Sequence, residues 1–320
     1  MKQEIWPQMQ EAQTPDIEDD ASFDAESCVD QRIERLLLVC GAIKAGTTWL
    51  FSMLRQHPMI AVPKIKEVHF FAPASLPWDP LADEARIQAL VNYFDNNGPY
   101  VKHAPELAEA ARNDLEWFHN YLSGPIDLAW LRSLYGQAGP DHYISDFSPF
   151  TSLGDQNDVK RICDSSHNRR LIYLIRNPVD RYWSHYNFHK SLFSPGEDIT
   201  GYNESFYADE LAGADFALHG QYYRFIEMAQ SVLEPHEFLV LPIEDCRADP
   251  LAAVRKIEAF LDLPPATYDP ASLKANVFPS RLLMKPEAFQ RACLPLVERD
   301  CADLDRLGVA YPETYRALAL

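Results

Sequence analysis

Residues 36–49, Leu-Leu-Leu-Val-Cys-Gly-Ala-Ile-Lys-Ala-Gly-Thr-Thr-Trp, hold the residue types an anion site needs. Lys44 places a positive charge inside a turn bracketed by Gly41 and Gly46, and Thr47 and Thr48 open a helical pattern directly after it. The first N–H groups of a helix have no partner within it, and the helix dipole favours negative charge at that end. Lys44, Ala45, Gly46, Thr47 and Thr48 are therefore candidate ligands of a bound anion. The spacing approaches a Gly-x4-Gly-Lys-[Ser/Thr] phosphate loop, but Thr47 stands where that loop's lysine belongs and the lysine has moved inward to Lys44. A lysine inside the turn sits over a shorter anion than one reaching forward to β- and γ-phosphates.

Two further groups complete the candidate chemistry. Lys66-Glu67-Val68-His69-Phe70-Phe71 sets a carboxylate and an imidazole two residues apart, and Arg176 and Ser184 lie eight residues apart after the apolar run Leu171–Ile175. On an extended segment, residues i and i+2 point to one side, so Glu67 and His69 are expected to share a cavity in which either can take a proton. Arg176 offers a fork of charged N–H donors and Ser184 a hydroxyl, a pair suited to a phosphate.

The Lys44-Ala-Gly-Thr-Thr-Trp49 run, together with Leu174-Ile-Arg176-Asn-Pro-Val-Asp-Arg-Tyr-Trp-Ser184, resembles the PAPS-dependent sulfotransferases, where PAPS is 3′-phosphoadenosine 5′-phosphosulfate. The resemblance implies that the first motif holds the 5′-phosphosulfate and that Arg176 and Ser184 hold the 3′-phosphate. Lys44 would face the bridging oxygen. Trp49 is placed either against the adenine or, as its amphipathic helix equally suggests, in the core. A basic loop near the C-terminus closes over the nucleotide in that family, and Arg281 is the candidate here. The Lys66–Phe71 segment resembles the glycosaminoglycan-type and bacterial branch, which implies Glu67 as base and His69 as the residue that orients it or shares the proton. Relatives of that branch carry a lysine before their aromatic-[Ser/Thr]-Pro segment, whereas this chain has Asp146 before Phe147-Ser148-Pro149. An acidic group there is expected to disfavour a sulfated sugar and to suit a neutral or cationic acceptor.

The elements needed to position these residues are legible as alternation. Strand-like runs at Leu36–Cys40, Ile60–Val62, Tyr143–Ser145, Leu171–Ile175 and Phe238–Leu241 are followed in several places by helical patterns, at Thr47–Gln56, Pro178–Ser191 and Pro250–Phe260. This predicts an α/β protein with a parallel sheet covered on both faces. The resemblance adds a P-loop-like three-layer sandwich with a five-stranded core sheet. Residues 72–135, rich in Pro and aromatic residues, carry amphipathic stretches near 81–94 and 104–122. They are either a helical lid over the acceptor or a helical excursion packed on the sheet edge.

Composition narrows the function. The first 30 residues contain nine acids against one lysine and are expected to form a disordered leader or linker, with the domain over 31–320. Setting those aside from 47 acids and 29 bases still leaves the remainder near −10, which disfavours nucleic acid, polyanions and anionic membranes. No apolar run is long enough to span a bilayer and no charged-then-apolar leader opens the chain, so neither anchor nor signal peptide is expected. The six cysteines show no metal spacing. Secreted relatives in the family this chain resembles often hold a disulfide near the C-terminus, which makes Cys293 and Cys301 the tempting pair, but residues 286–307 read as one helix, which separates these two by roughly 12 Å. A bridge needs about 5–6 Å, so free thiols and a reducing, cytoplasmic setting are expected.

These features point to sulfuryl transfer from PAPS to a hydroxyl or amine of a neutral or cationic small molecule, or of an acyl chain on a carrier protein, in specialised metabolism and with no metal required. The rival readings are a P-loop small-molecule kinase, against which the missing loop lysine counts, and a non-catalytic nucleotide-binding module.

Overall fold

The computed structural model describes residues 31–97, 105–136, 138–274 and 284–316. The leader expected over 1–30 and the candidate Arg281 lie outside these residues.

The run Leu36–Cys40 forms the centre of β1 (Ile33–Gly41) and is buried along its length. That is the pattern of a parallel strand with both faces covered. Among the described residues β1 is joined by β2 (Ile60–Ala61), β3 (Tyr143–Asp146), β4 (Ser166–Ile175) and β5 (Phe238–Pro242) in the order β2-β3-β1-β4-β5, with every pairing parallel. Leu38 stands opposite Asp146 on one side and Leu171 on the other. The chain leaves β1 toward β2 and β3 and then crosses back to β4 and β5, so the sheet reverses direction beside β1. Ligands of open α/β sheets bind at such a reversal, outside the carboxyl ends of the strands. The Lys44 loop follows β1, Ser148 follows β3 and Arg176 follows β4 at that edge.

Three helices answer the sequence pattern closely. Thr47–Leu54 buries Thr47, Trp49, Leu50, Met53 and Leu54. Pro178–Phe193 starts with Pro at its first turn and Asn177 as N-cap, whose side chain accepts from the Asp180 amide at 3.3 Å. Pro250–Phe260 is capped by Asp249, which accepts from the Ala252 amide at 3.0 Å. Cys293 and Cys301 sit on the single helix Glu287–Arg306 as free thiols.

Between β2 and β3 run the helices Asp83–Asn97, Pro105–Leu122 and Leu128–Ser133. Aromatic residues fasten them: Trp117 stacks on Tyr121 at 5.1 Å, and its indole N–H donates to the Leu134 carbonyl at 2.6 Å. Trp130 stacks on Phe70 at 6.0 Å, which joins the insertion to the Glu67–His69 segment. Buried Arg86 adds a bond to the Tyr121 carbonyl at 2.7 Å.

Gly46 is the residue on which the β1 turn depends. Its φ of +100° is left-handed, and a Cβ there would lie 2.7 Å from the buried Ile243 side chain. Gly46→Ala should therefore lower the unfolding free energy by about 1–3 kcal/mol in urea denaturation. A variant as stable as the wild type would mean that the loop takes another path.

Candidate active site

The helix Thr47–Leu54 begins with Trp49 and Leu50 amides bonding back to the Gly46 carbonyl, at 3.0 and 3.3 Å. This leaves the Thr47 and Thr48 amides at its open end. Lys44 lies in the same turn with a left-handed backbone, φ 63°, and its ammonium rests 4.3 Å from the centre of the Phe188 ring. Trp49 is only 4% exposed and packs in the core, as the second of the two readings of this residue has it.

Arg176, at the end of β4, donates from Nη1 to the Lys44 carbonyl at 3.2 Å and so ties the two strand-end loops together. Its backbone is clamped by Tyr222, whose hydroxyl donates to the Arg176 carbonyl at 2.7 Å and accepts from its amide at 3.3 Å. Glu244 holds the next residue, accepting from the Asn177 amide at 3.0 Å and from the Tyr315 hydroxyl at 2.7 Å. Ser184 is buried on the helix Pro178–Phe193. Arg181 is fully buried with its guanidinium 4.0 Å over the Tyr182 ring.

The electrostatics show that the cations crowd one another. Burial lowers the Lys44 pKa, Lys66 and Arg176 lower it further, and Glu67 partly opposes them. Burial also lowers the Arg176 pKa, against the pull of Asp180 and Glu244 and with the help of Arg247. The Arg176 Nε is buried without a hydrogen-bond partner. A polyanion would relieve all of this at once: it would pair the orphan donor and neutralise the repulsion.

Glu67 and His69 do come together, but not by strand alternation. β2 ends at Ala61, and His69 takes a left-handed backbone with φ 65°. This turn brings His69 Nε2 to 3.7 Å from Glu67 Oε2, while Lys66 Nζ donates to Glu67 Oε1 at 2.5 Å. The His69 ring packs against Phe150 at 5.4 Å and Trp78 at 6.4 Å. Glu67 also opens onto a cavity of ≈ 1410 Å³ lined from one side by Phe51, Arg55, Lys64 and Lys66 and from the other by Asn92, Asn113, Glu116 and Asn120 of the insertion helices. The insertion thus forms one wall of the space Glu67 faces.

Asp146 corrects an expectation. It is 2% exposed and lies under the Glu67–His69 segment, where it accepts from the Val68 amide at 3.0 Å and the Ser148 hydroxyl at 2.7 Å. A carboxylate buried beneath the backbone cannot screen acceptors by meeting them, so the selection against sulfated sugars expected from it has no basis in this position. Tyr222, Glu244 and the Asp146–Ser148 pair were not visible as site residues. Their partners lie 46, 67 and 78 residues away, beyond any local pattern.

Residues 34–277 match the protein family described as the sulfotransferase domain. A curated relative, the membrane-associated sulfotransferase kil1 of Dictyostelium discoideum, is 25% identical over 151 residues. That stretch takes up 47% of this chain and only 22% of kil1. Among solved structures, the sulfotransferase from Alicyclobacillus acidocaldarius superposes with a TM-score of 0.58 at 19% identity, over 88% of this chain and 99% of that one. The sulfotransferase domain of the Synechococcus PCC 7002 olefin synthase gives 0.50 at 17% identity, over 88% and 97%. These likenesses carry the fold, a central parallel sheet flanked by helices. No helix of the described residues is long and apolar enough to cross a membrane.

The crowding of cations makes a prediction independent of any substrate. In competitive labelling with an amine reagent, read by peptide mass spectrometry across a pH series, Lys44 should titrate below the ordinary lysine value of 10.5. Lys66→Met should move its midpoint up, because a like charge is removed. A Lys44 midpoint at or above the ordinary value would contradict the clustering.

Proposed function

The chain belongs to the sulfotransferase domain family, and from that premise we propose that it moves a sulfuryl group from PAPS to a hydroxyl or amine of a neutral small-molecule acceptor, with Glu67 as the base. The observation that carries this reading is the position of the Glu67 carboxylate. It interacts with the cations Lys44 and Lys66 on one side and opens onto the ≈ 1410 Å³ cavity on the other.

The donor's two anionic ends find complementary partners. The turn of Lys44, Ala45, Gly46, Thr47 and Thr48 suits the 5′-phosphosulfate, and Arg176 with Ser184 suits the 3′-phosphate. In the transfer, the acceptor oxygen or nitrogen forms a bond to sulfur while the bond from sulfur to the bridging oxygen breaks, in line and on the opposite side. The acceptor proton passes to Glu67, and the electron pair of the broken bond leaves with adenosine 3′,5′-bisphosphate. Charge grows on the bridging oxygen, where the Lys44 ammonium stabilises it in a site partly withdrawn from water. His69, 3.7 Å from the Glu67 carboxylate, orients it or shares the proton.

The cavity speaks for a neutral acceptor with hydrogen-bonding groups. Of its cations, Lys64 is already paired with Asp114 at 2.6 Å and Lys66 with Glu67 at 2.5 Å, and the lining also holds one further cation, Arg55, and one further carboxylate, Glu116. Asn92, Asn113, Asn120 and Ser133 add amide and hydroxyl groups to the lining. In this reading the insertion over 72–135 serves as the acceptor wall. An acceptor tethered to a carrier protein is the alternative to a free one.

The test begins with a panel of free and carrier-bound alcohols and amines incubated with PAPS, in which mass spectrometry detects an added sulfonate. With a hydroxyl acceptor so found, Glu67→Gln should lower turnover by about 10²–10⁴-fold with donor affinity nearly unchanged. Near-full activity of that variant would remove Glu67 as base and turn attention to His69.

A further inference from the structure

The turn that makes the Glu67–His69 pair is held by residues from another strand. Val68 and His69 are consecutive, and both amides are taken by the end of β3. Val68 N–H donates to Asp146 Oδ1 at 3.0 Å, and His69 N–H donates to Ser148 Oγ at 2.9 Å. Ser148 Oγ then donates to the same Asp146 Oδ1 at 2.7 Å. The three bonds form one strut whose foot is a carboxylate in the protein interior, and it bears on a residue, His69, in a left-handed backbone that is strained for a residue other than glycine.

We propose that Asp146, acting through Ser148, is the positioning residue of the acceptor side: it fixes the left-handed turn at His69 that brings the imidazole to the Glu67 carboxylate. The inference rests on the reading of Glu67 and His69 as the reacting pair. It also explains why an acid occupies a place where glycosaminoglycan-type relatives carry a lysine, since a lysine has no acceptor for the Val68 amide or the Ser148 hydroxyl.

The surroundings fit an anchor rather than a reactant. Asp146 Oδ2 is buried without a hydrogen-bond partner, as is His69 Nδ1. Burial raises the Asp146 pKa, the Ser148 bond, His69 and the Val68 bond oppose that, and Glu67 adds to it. Its charge also acts on Cys40 at the end of β1 and on Tyr121 and Tyr135 of the insertion. Its reach to the reaction is through the backbone, because the side chain lies beneath Val68 and not in the cavity.

The test reads the strut without substrate. Hydrogen exchange of the full chain should show protected amides at Val68 and His69, and both Asp146→Ala and Ser148→Ala should speed their exchange by about tenfold or more. With a proven acceptor, kcat should fall by about 10–100-fold while KM for the donor stays within about twofold, the mark of a displaced reacting group. Asp146→Asn keeps an Oδ1 acceptor and should recover most of the protection and of the rate. Ser148→Ala carries the test if Asp146→Ala does not fold. Unchanged exchange in Ser148→Ala overturns the strut. Faster exchange with full turnover, in a protein that Glu67→Gln inactivates, overturns the positioning role. A fully active Glu67→Gln would instead retire the base assignment and leave the exchange result standing.

Discussion

The structure turns on holding positive charges closer together than they would stay by themselves. Lys44, Lys66 and Arg176 interact in a partly buried space, and the first of them loses proton affinity through burial and through the other two. Like charges in a medium of reduced dielectric repel strongly, so the fold must supply the restraint. It does so with backbone. Arg176 is braced on the Lys44 carbonyl, Tyr222 grips both backbone groups of Arg176, and Glu244 grips the next amide. Gly46 allows the turn that sets Lys44 before an open helix end. The outcome is a site whose electrostatic strain falls when an anion with two charged ends binds.

That arrangement also explains the placement of the acceptor side. Glu67 acts on Lys44, and Lys66 pairs with it directly. A carboxylate in that position is drawn toward the donor cradle, while its other face meets the cavity of the insertion helices. The strut from Asp146 through Ser148 holds two successive amides of this segment to the end of β3. In the proposed reading the donor side is built from the loops after β1 and β4, and the acceptor side from the segment after β2, tied to the end of β3.

The sequence carried much of this where the information is local. The buried run Leu36–Cys40, the Gly-bracketed Lys44 turn and the helix starts at Thr47, Pro178 and Pro250 are short-range patterns, and the structure follows them. Local pattern left one reading open and mistook the geometry of another. The Trp49 ring follows its helix into the core, since an amphipathic stripe alone does not say which aromatic faces a ligand. Glu67 and His69 meet because His69 turns left-handed, a conformation its residue type does not announce. Asp146 is expected from the sequence to act on the acceptor because burial depends on what covers it, and that cover comes from Val68 and His69 of a segment far along the chain. Long-range clamps such as Tyr222 on Arg176 leave no periodic trace at all.

The central claim, that the crowded cations await a donor phosphorylated at both ends, is tested most directly by calorimetry without metal ions. Adenosine 3′,5′-bisphosphate and adenosine 5′-monophosphate are titrated into the wild type and into Arg176→Ala. The account predicts that the 3′-phosphate adds about 10–100-fold in affinity to the wild type, as charge-assisted bonds do, and that Arg176→Ala removes most of this gain. Equal affinity of the wild type for both nucleotides, or tight binding of ATP that depends on Mg²⁺, would contradict it.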